Sequence, residues 1–123
     1  MHARRLRRIV MILTAFFPIA FHGCTGQAGT GDAAATVTTR NMTFAPQSVT
    51  IQAGQTVRWF NNDNTFHTVT SGNPGDANAG SLFDSGNILP NLSFERTFND
   101  KGTFVYFCRV HSAMMFGATV IVQ

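Results

Sequence analysis

The sequence predicts an all-β fold, a sandwich or barrel of antiparallel strands. Short runs of β-branched and aromatic residues recur along the chain at roughly 8–12-residue intervals, and Gly, Asn, Pro and Asp separate them. No window keeps the helical spacing of apolar side chains that an amphipathic helix needs. Apolar residues make up 44% of the chain and twelve of them are Phe, so the material for one buried core is present.

The predicted strands follow one another from residue 37 to the C-terminus. Ala45-Pro46 separates the first two, and polar residues 61–64 and 72–80 indicate a turn and a loop. The segment ending at Cys108 is apolar on both faces, which indicates an interior strand, whereas Arg96 indicates a sheet edge. The expected strands are 37–44, 48–52, 56–60, 67–71, 92–98, 103–108 and 118–122.

Residues 1–23 are predicted to be an export signal. Four arginines in the first eight residues precede thirteen uncharged residues, fewer than the roughly 20 apolar residues that span a bilayer. The stretch FHGC resembles a bacterial lipoprotein cleavage box, with Cys24 as the lipid-bearing residue. An ordinary cut after Ala28 or within 33–35 is the alternative. We expect a flexible tether at 24–35, a domain at 36–123, and a location in the periplasm or on a membrane outside the cytoplasm.

The charge distribution excludes a nucleic-acid partner. The formal net charge is +3, but four of the nine basic residues belong to the leader. The remainder carries five basic against six acidic side chains, a net of −1. Nucleic-acid binding requires Lys and Arg clustered on the domain itself, and the sequence has no such cluster there.

The candidate metal ligands of the predicted domain are two histidines, a cysteine and two loop methionines: His67, Cys108, His111, Met114 and Met115. The other two histidines of the chain belong to the leader. Two imidazoles, a thiolate and a weak axial thioether are the ligands of a blue-copper centre. Cys and two His also suit zinc, but a thioether as the fourth donor and an exported chain favour copper.

From residue 36 to 123 the chain resembles the cupredoxins, the plastocyanin/azurin family of small blue-copper proteins. The likeness is carried by VRWFNNDNTFHTVTSG around His67, LFDSG at 82–86, GTFVYFC ending at Cys108, and HSAMMFG after it. The resemblance implies a Greek-key β-sandwich, a single type-1 copper and one-electron transfer outside the cytoplasm. It also implies that His67, Cys108 and His111 are the equatorial copper ligands.

Two adjacent methionines compete for the axial position. Met115 gives the His-x3-Met-x-Gly spacing of azurin-type loops, whereas Met114 gives the shorter spacing of amicyanin-like loops but leaves an extra residue before Gly117. We favour Met115. By the same resemblance, the hydroxyl or amide of Thr68 is expected to hydrogen-bond near the Cys108 sulfur.

The resemblance favours an electron carrier over two alternatives. A copper carrier or sensor would expose a Met-rich or His-rich site, which this chain lacks, and an enzyme needs an open coordination position or a second metal cluster. We therefore expect a monomer without enzyme activity. His111, Met114 and Phe116 would form an apolar surface for a redox partner such as a c-type cytochrome or a copper oxidase or reductase.

Overall fold

The computed structural model describes residues 32–123, which form two four-stranded sheets. The strand order is β2-β1-β4-β6 in the first sheet and β3-β8-β7-β5 in the second. The all-β sandwich predicted from the sequence is confirmed. The elements are β1 Ala35–Arg40, β2 Thr43–Ala45, β3 Ser48–Ile51, β4 Gln55–Asn61, β5 Thr70–Ser71, β6 Ser93–Phe98, β7 Gly102–Phe107, a 3-10 turn Arg109–His111, and β8 Ala118–Val122.

The sheets are mixed, so the expectation of purely antiparallel strands is wrong. β1 pairs in parallel with β4, and β3 pairs in parallel with β8, whereas the other neighbours are antiparallel. After the β1–β2 hairpin the chain crosses to the second sheet as β3 and returns as β4 beside β1. Side-chain alternation within a segment specifies a strand and its buried face, but it does not specify the direction of the neighbour.

The strand expected at 37–44 is interrupted by a two-residue turn. Asn41 and Met42 have φ of 52° and 61°, and the pairing resumes with Arg40 opposite Thr43. Positive φ suits Asn but is unusual for Met. The turn is stabilised from outside, because the carboxylate of Asp63 accepts hydrogen bonds from the Asn41 and Met42 amides at 2.7 and 3.1 Å.

Strand positions within the sheets agree with two expectations from the sequence. β7 lies between β8 and β5 and is therefore interior, and β6 lies at a sheet edge. Arg96 on β6 does not point freely into solvent. Its guanidinium lies over the rings of Phe83 and Phe98, 4.9 and 5.4 Å from their centroids. Cation–π contacts of this kind explain why an arginine occurs within an aromatic strand.

The core between the sheets is aromatic and is centred on Trp59 of β4, which is fully buried. Its ring lies 5.5 Å from Tyr106 on β7 and 5.7 Å from Phe94 on β6, centroid to centroid. Phe83 and Phe98 lie within 6.5 Å of the same ring. This packing fixes β4 against β7, and the segments that follow these two strands converge on the site described next.

The predicted leader, Cys24 and most of the predicted tether precede residue 32 and lie outside the described residues. Within residues 32–123, no helix has the length and hydrophobicity needed to cross a membrane.

Candidate metal centre

Three of the predicted site residues meet at one end of the sandwich. The sulfur of Cys108 lies 3.8 Å from Nδ1 of His67 and 3.6 Å from Nδ1 of His111. The three ligand atoms all lie within 4.8 Å of one another. Cys108 is a free thiol, and both it and His67 are fully buried, whereas His111 is partly exposed. The cluster is thus closed on one side and accessible on the other.

The loop after β7 is held in shape by its own backbone. The Cys108 amide donates to the carbonyl of Met115 at 2.8 Å, and the Met115 amide donates to the carbonyl of His111 at 2.9 Å. The 3-10 turn between them brings the His111 ring back over the cysteine. Because the loop closes with main-chain hydrogen bonds, the separation of the sulfur and the imidazole does not depend on long flexible side chains.

His67 is held by a single bridge rather than by a strand. It exchanges backbone hydrogen bonds with Ile88, at 3.1 and 2.7 Å, and regular pairing begins only at Thr70. The extended segment expected at 67–71 is therefore shorter as a strand than the sequence suggested. The bridge fixes the backbone of His67, and its buried ring is directed toward Cys108.

Thr68 connects the two segments that carry the imidazoles and the thiol. Its amide donates to the Cys108 sulfur at 3.3 Å, and its hydroxyl accepts from the Arg109 amide at 2.8 Å. The expected contact between Thr68 and the sulfur is thereby confirmed, and the backbone amide is its donor. A hydrogen bond to a thiolate lowers its electron density and fixes its orientation.

The spacing of the donors fits one metal ion. A first-row metal about 2.0 Å from a nitrogen and about 2.3 Å from a sulfur, in a trigonal arrangement, holds those two atoms about 3.7 Å apart. The observed separations of 3.8 and 3.6 Å match this value on both sides of Cys108. Two imidazoles with a thiolate are a donor set that suits copper.

The two methionines of the loop have opposite environments. Met115 is 1% exposed and packs in the same buried cluster as Cys108, whereas Met114 is 59% exposed. Met115 is therefore on the buried side of the loop with the thiol. Met114 lies on the surface, near the partly exposed His111.

Asp63 contacts the site, although only a polar turn was predicted at that position. Its Oδ2 lies 2.9 Å from Nε2 of His67, on the side of the ring opposite to Cys108. Burial alone would raise the pKa of this carboxyl, but the hydrogen bonds from the Met42 amide, the His67 ring and the Asn41 amide outweigh it and lower the pKa. Its spacing of four residues from His67 was the available signal.

The pKa of His111 is lowered. Burial lowers the pKa of His111, and the nearby charge of His67 lowers it further, while the carboxylate of Asp63 acts in the opposite sense. The two rings lie 4.9 Å apart, centroid to centroid. At neutral pH this environment favours the uncharged imidazole, which is the form that binds a metal.

Comparisons with known proteins agree with this geometry. A family model described as copper binding proteins, plastocyanin/azurin family, matches residues 32–123. A plastocyanin of Scenedesmus fuscus is 36% identical over 86 residues, which cover 67% of this chain and 88% of that protein. The crystal structure of an amicyanin from Paracoccus versutus has a TM-score of 0.62 at 31% identity and covers 76% of this chain and 83% of its own. A purple cupredoxin from Nitrosopumilus maritimus has a TM-score of 0.61 at 26% identity, over 72% of this chain and 99% of its own.

Proposed function

The chain belongs to the plastocyanin/azurin family of copper-binding proteins, and from this premise we propose that it is a one-electron carrier outside the cytoplasm. Copper is its cofactor, and its fold is the cupredoxin sandwich. The observation that carries the proposal is the position of one buried thiol between two imidazole nitrogens, at 3.8 and 3.6 Å. Copper bound there would supply a Cu(II)/Cu(I) couple.

We propose that His67, Cys108, His111 and Met115 would hold the copper. The donor spacing supports the first three assignments. Burial of Met115 beside Cys108, in contrast to the exposure of Met114, supports the fourth. A thiolate and a thioether favour Cu(I), whereas imidazole suits both oxidation states, so this set can remain in place when one electron is gained or lost.

One side of the site is buried and held in place, and the other side is accessible to a partner protein. The buried His67 and the Thr68 amide hold the thiol side of the site away from water. His111, which is partly exposed, offers the route for an electron to a partner. Met114 and Phe116, 59% and 52% exposed, place apolar surface on the same loop. We propose that this patch binds a redox protein such as a c-type cytochrome or a copper oxidase or reductase.

A copper carrier or sensor without electron transfer is the alternative. Both histidines among the described residues lie in the one donor cluster, and the cysteine that joins them is buried. A transfer protein benefits from an exposed site that a partner can reach, whereas burial of the thiol slows exchange of the metal. This arrangement favours electron transfer, and residues 32–123 contain no second cluster of the kind that a multi-copper enzyme uses. The basic and apolar leader supports export, with a lipid on Cys24 as the proposed anchor.

Reconstitution with Cu(II) tests the proposal. The wild-type domain should acquire an intense thiolate-to-copper charge-transfer band in the visible region and show a reversible one-electron wave in voltammetry. Cys108→Ser should lose the band completely, because a serine hydroxyl supplies no thiolate, while circular dichroism reports an unchanged β-sandwich. A wild-type protein without the band, or one that releases Cu(I) readily to a chelator and gives no reversible wave, would contradict the electron-carrier function.

A further inference from the structure

We propose that Asp63 is a positioning residue that fixes the tautomer of His67 and, through its negative charge, lowers the reduction potential of the bound copper. This inference rests on the proposed function, because it concerns the same metal centre. It starts from the 2.9 Å contact between the Asp63 carboxylate and Nε2 of His67, on the side of the ring away from the thiol.

The carboxylate is itself held firmly in place. Oδ1 accepts from the Asn41 amide at 2.7 Å, and Oδ2 accepts from the Met42 amide at 3.1 Å. The amide of Asp63 donates to the side chain of Asn61 at 3.0 Å. The β1–β2 turn therefore clamps both carboxylate oxygens, and the position of Oδ2 relative to His67 is determined by the sheet rather than by a mobile surface side chain.

The first consequence concerns the proton on the imidazole. An ionised carboxylate can only accept, so Nε2 of His67 must carry the hydrogen when it faces Oδ2. In the neutral ring Nδ1 then carries the lone pair, and Nδ1 is the atom that lies 3.8 Å from the Cys108 sulfur. Because His67 is fully buried, no water can supply an alternative partner for Nε2. Asp63 thereby presents the correct nitrogen to the metal.

The second consequence concerns charge. A neutral acceptor would orient the ring equally well, but the carboxylate also adds a negative charge on the far side of one ligand. This charge favours Cu(II) over Cu(I), and its effect is enlarged because Asp63 is largely withdrawn from solvent. Removing the charge of Asp63 while keeping a hydrogen-bond acceptor should therefore separate its electrostatic role from its role in orienting the His67 ring.

Asp63→Asn and Asp63→Ala make this separation, with Asp84→Asn as the matched control. Asp84 is also a carboxylate near the ligand loop, but it bonds to the side chain of Arg109 and not to a proposed ligand. Two properties are measured: the potential of the copper-loaded protein by voltammetry, and the His67 tautomer in the copper-free protein by ¹⁵N NMR.

We expect Asp63→Asn to keep the charge-transfer band and to favour Cu(I) about tenfold, a rise of about 59 mV for one electron. Asp63→Ala should show the same rise and also lose the single Nε2–H tautomer of His67. Asp84→Asn should change neither property. The NMR measurement is independent of copper and also reports whether the domain is folded.

Three results would overturn the inference. They are a potential in Asp63→Asn that moves by less than about a third of the expected shift, an equal shift in Asp84→Asn, or a wild-type His67 protonated at Nδ1. Failure of the proposed function is a different outcome, because the wild-type protein itself would then lack the charge-transfer band, whatever the tautomer of His67.

Discussion

Asn61 is predicted to stabilise the domain far more than its neighbour Asn62. Its side chain is 1% exposed and takes part in four hydrogen bonds. Oδ1 accepts from the Thr39 hydroxyl and the Asp63 amide, both at 3.0 Å. Nδ2 donates to the carbonyls of Thr65 and Ile88, both at 2.8 Å. Asn61→Ala removes all four bonds at once.

The expected loss in the free energy of unfolding follows from these four hydrogen bonds. A hydrogen bond contributes about 1 kcal/mol net, and a buried partner left unpaired costs about 1–3 kcal/mol. Rotation of the Thr39 hydroxyl and entry of water near the partly exposed Thr65 will recover some of this loss. We therefore expect Asn61→Ala to lower the free energy of unfolding by about 4 kcal/mol, a large part of the total for a domain of this size. With an m-value of about 2 kcal/mol/M, the urea midpoint falls by about 2 M.

Urea denaturation of the copper-free protein, followed by Trp59 fluorescence and by circular dichroism, measures this loss without the contribution of a bound metal. Asn62→Ala is the control, because the Asn62 side chain is exposed and only its backbone amide bonds to Thr39, a contact that alanine keeps. It should lie within about 0.5 kcal/mol of the wild type. A loss below about 1.5 kcal/mol in Asn61→Ala, or an equal loss in both variants, would refute the reasoning.

Two further predictions concern the loop methionines and the single tyrosine. Met115→Leu should raise the potential, by about 59 mV for each tenfold loss of relative Cu(II) affinity, whereas the exposed Met114→Leu should leave it unchanged; voltammetry showing the reverse would move the axial assignment to Met114. Burial raises the pKa of Tyr106 to about 12, against about 10 in the unfolded chain. The unfolded state thus releases this proton first, so the free energy of unfolding falls as the pH rises through that window. Tyrosinate absorption reports Tyr106 alone, and a midpoint near 10 in folded protein would contradict its burial.

The members of the donor cluster were predicted from the distinctive chemistry of their side chains, and two of them are close in sequence. Cys108 and His111 are three residues apart, and a strand pattern runs directly into the cysteine, so their proximity follows from local structure. His67 lies 41 residues upstream of Cys108, so its position beside the cysteine depends on long-range packing. The resemblance to a known family predicted that position. The strand pattern alone could not predict it, because the alternation of side chains does not specify which strands become neighbours.

The residues that support the site were harder to predict, because their types are those of an ordinary turn. Asn61, Asn62 and Asp63 are adjacent and equally polar, yet the first is buried, the second is exposed and the third contacts a proposed ligand. Their different roles depend on the β1–β2 turn, which contacts this segment although it lies more than twenty residues earlier in the sequence. A turn at Asn41 and Met42 was itself absent from the pattern, since the two residues interrupt a run that is otherwise typical of one strand.

The stiffness of the proposed site therefore comes from hydrogen bonds that the chain makes with itself. The Arg109 amide and the Thr68 hydroxyl join the two ligand-bearing segments, and the Cys108 amide closes the loop onto Met115. None of these bonds uses a ligand atom, so none needs to break or lengthen when the metal changes its charge. A carrier that must accept and release one electron with little rearrangement requires this arrangement. The backbone contacts of the loop would thus matter to the proposed function as much as the four proposed ligands.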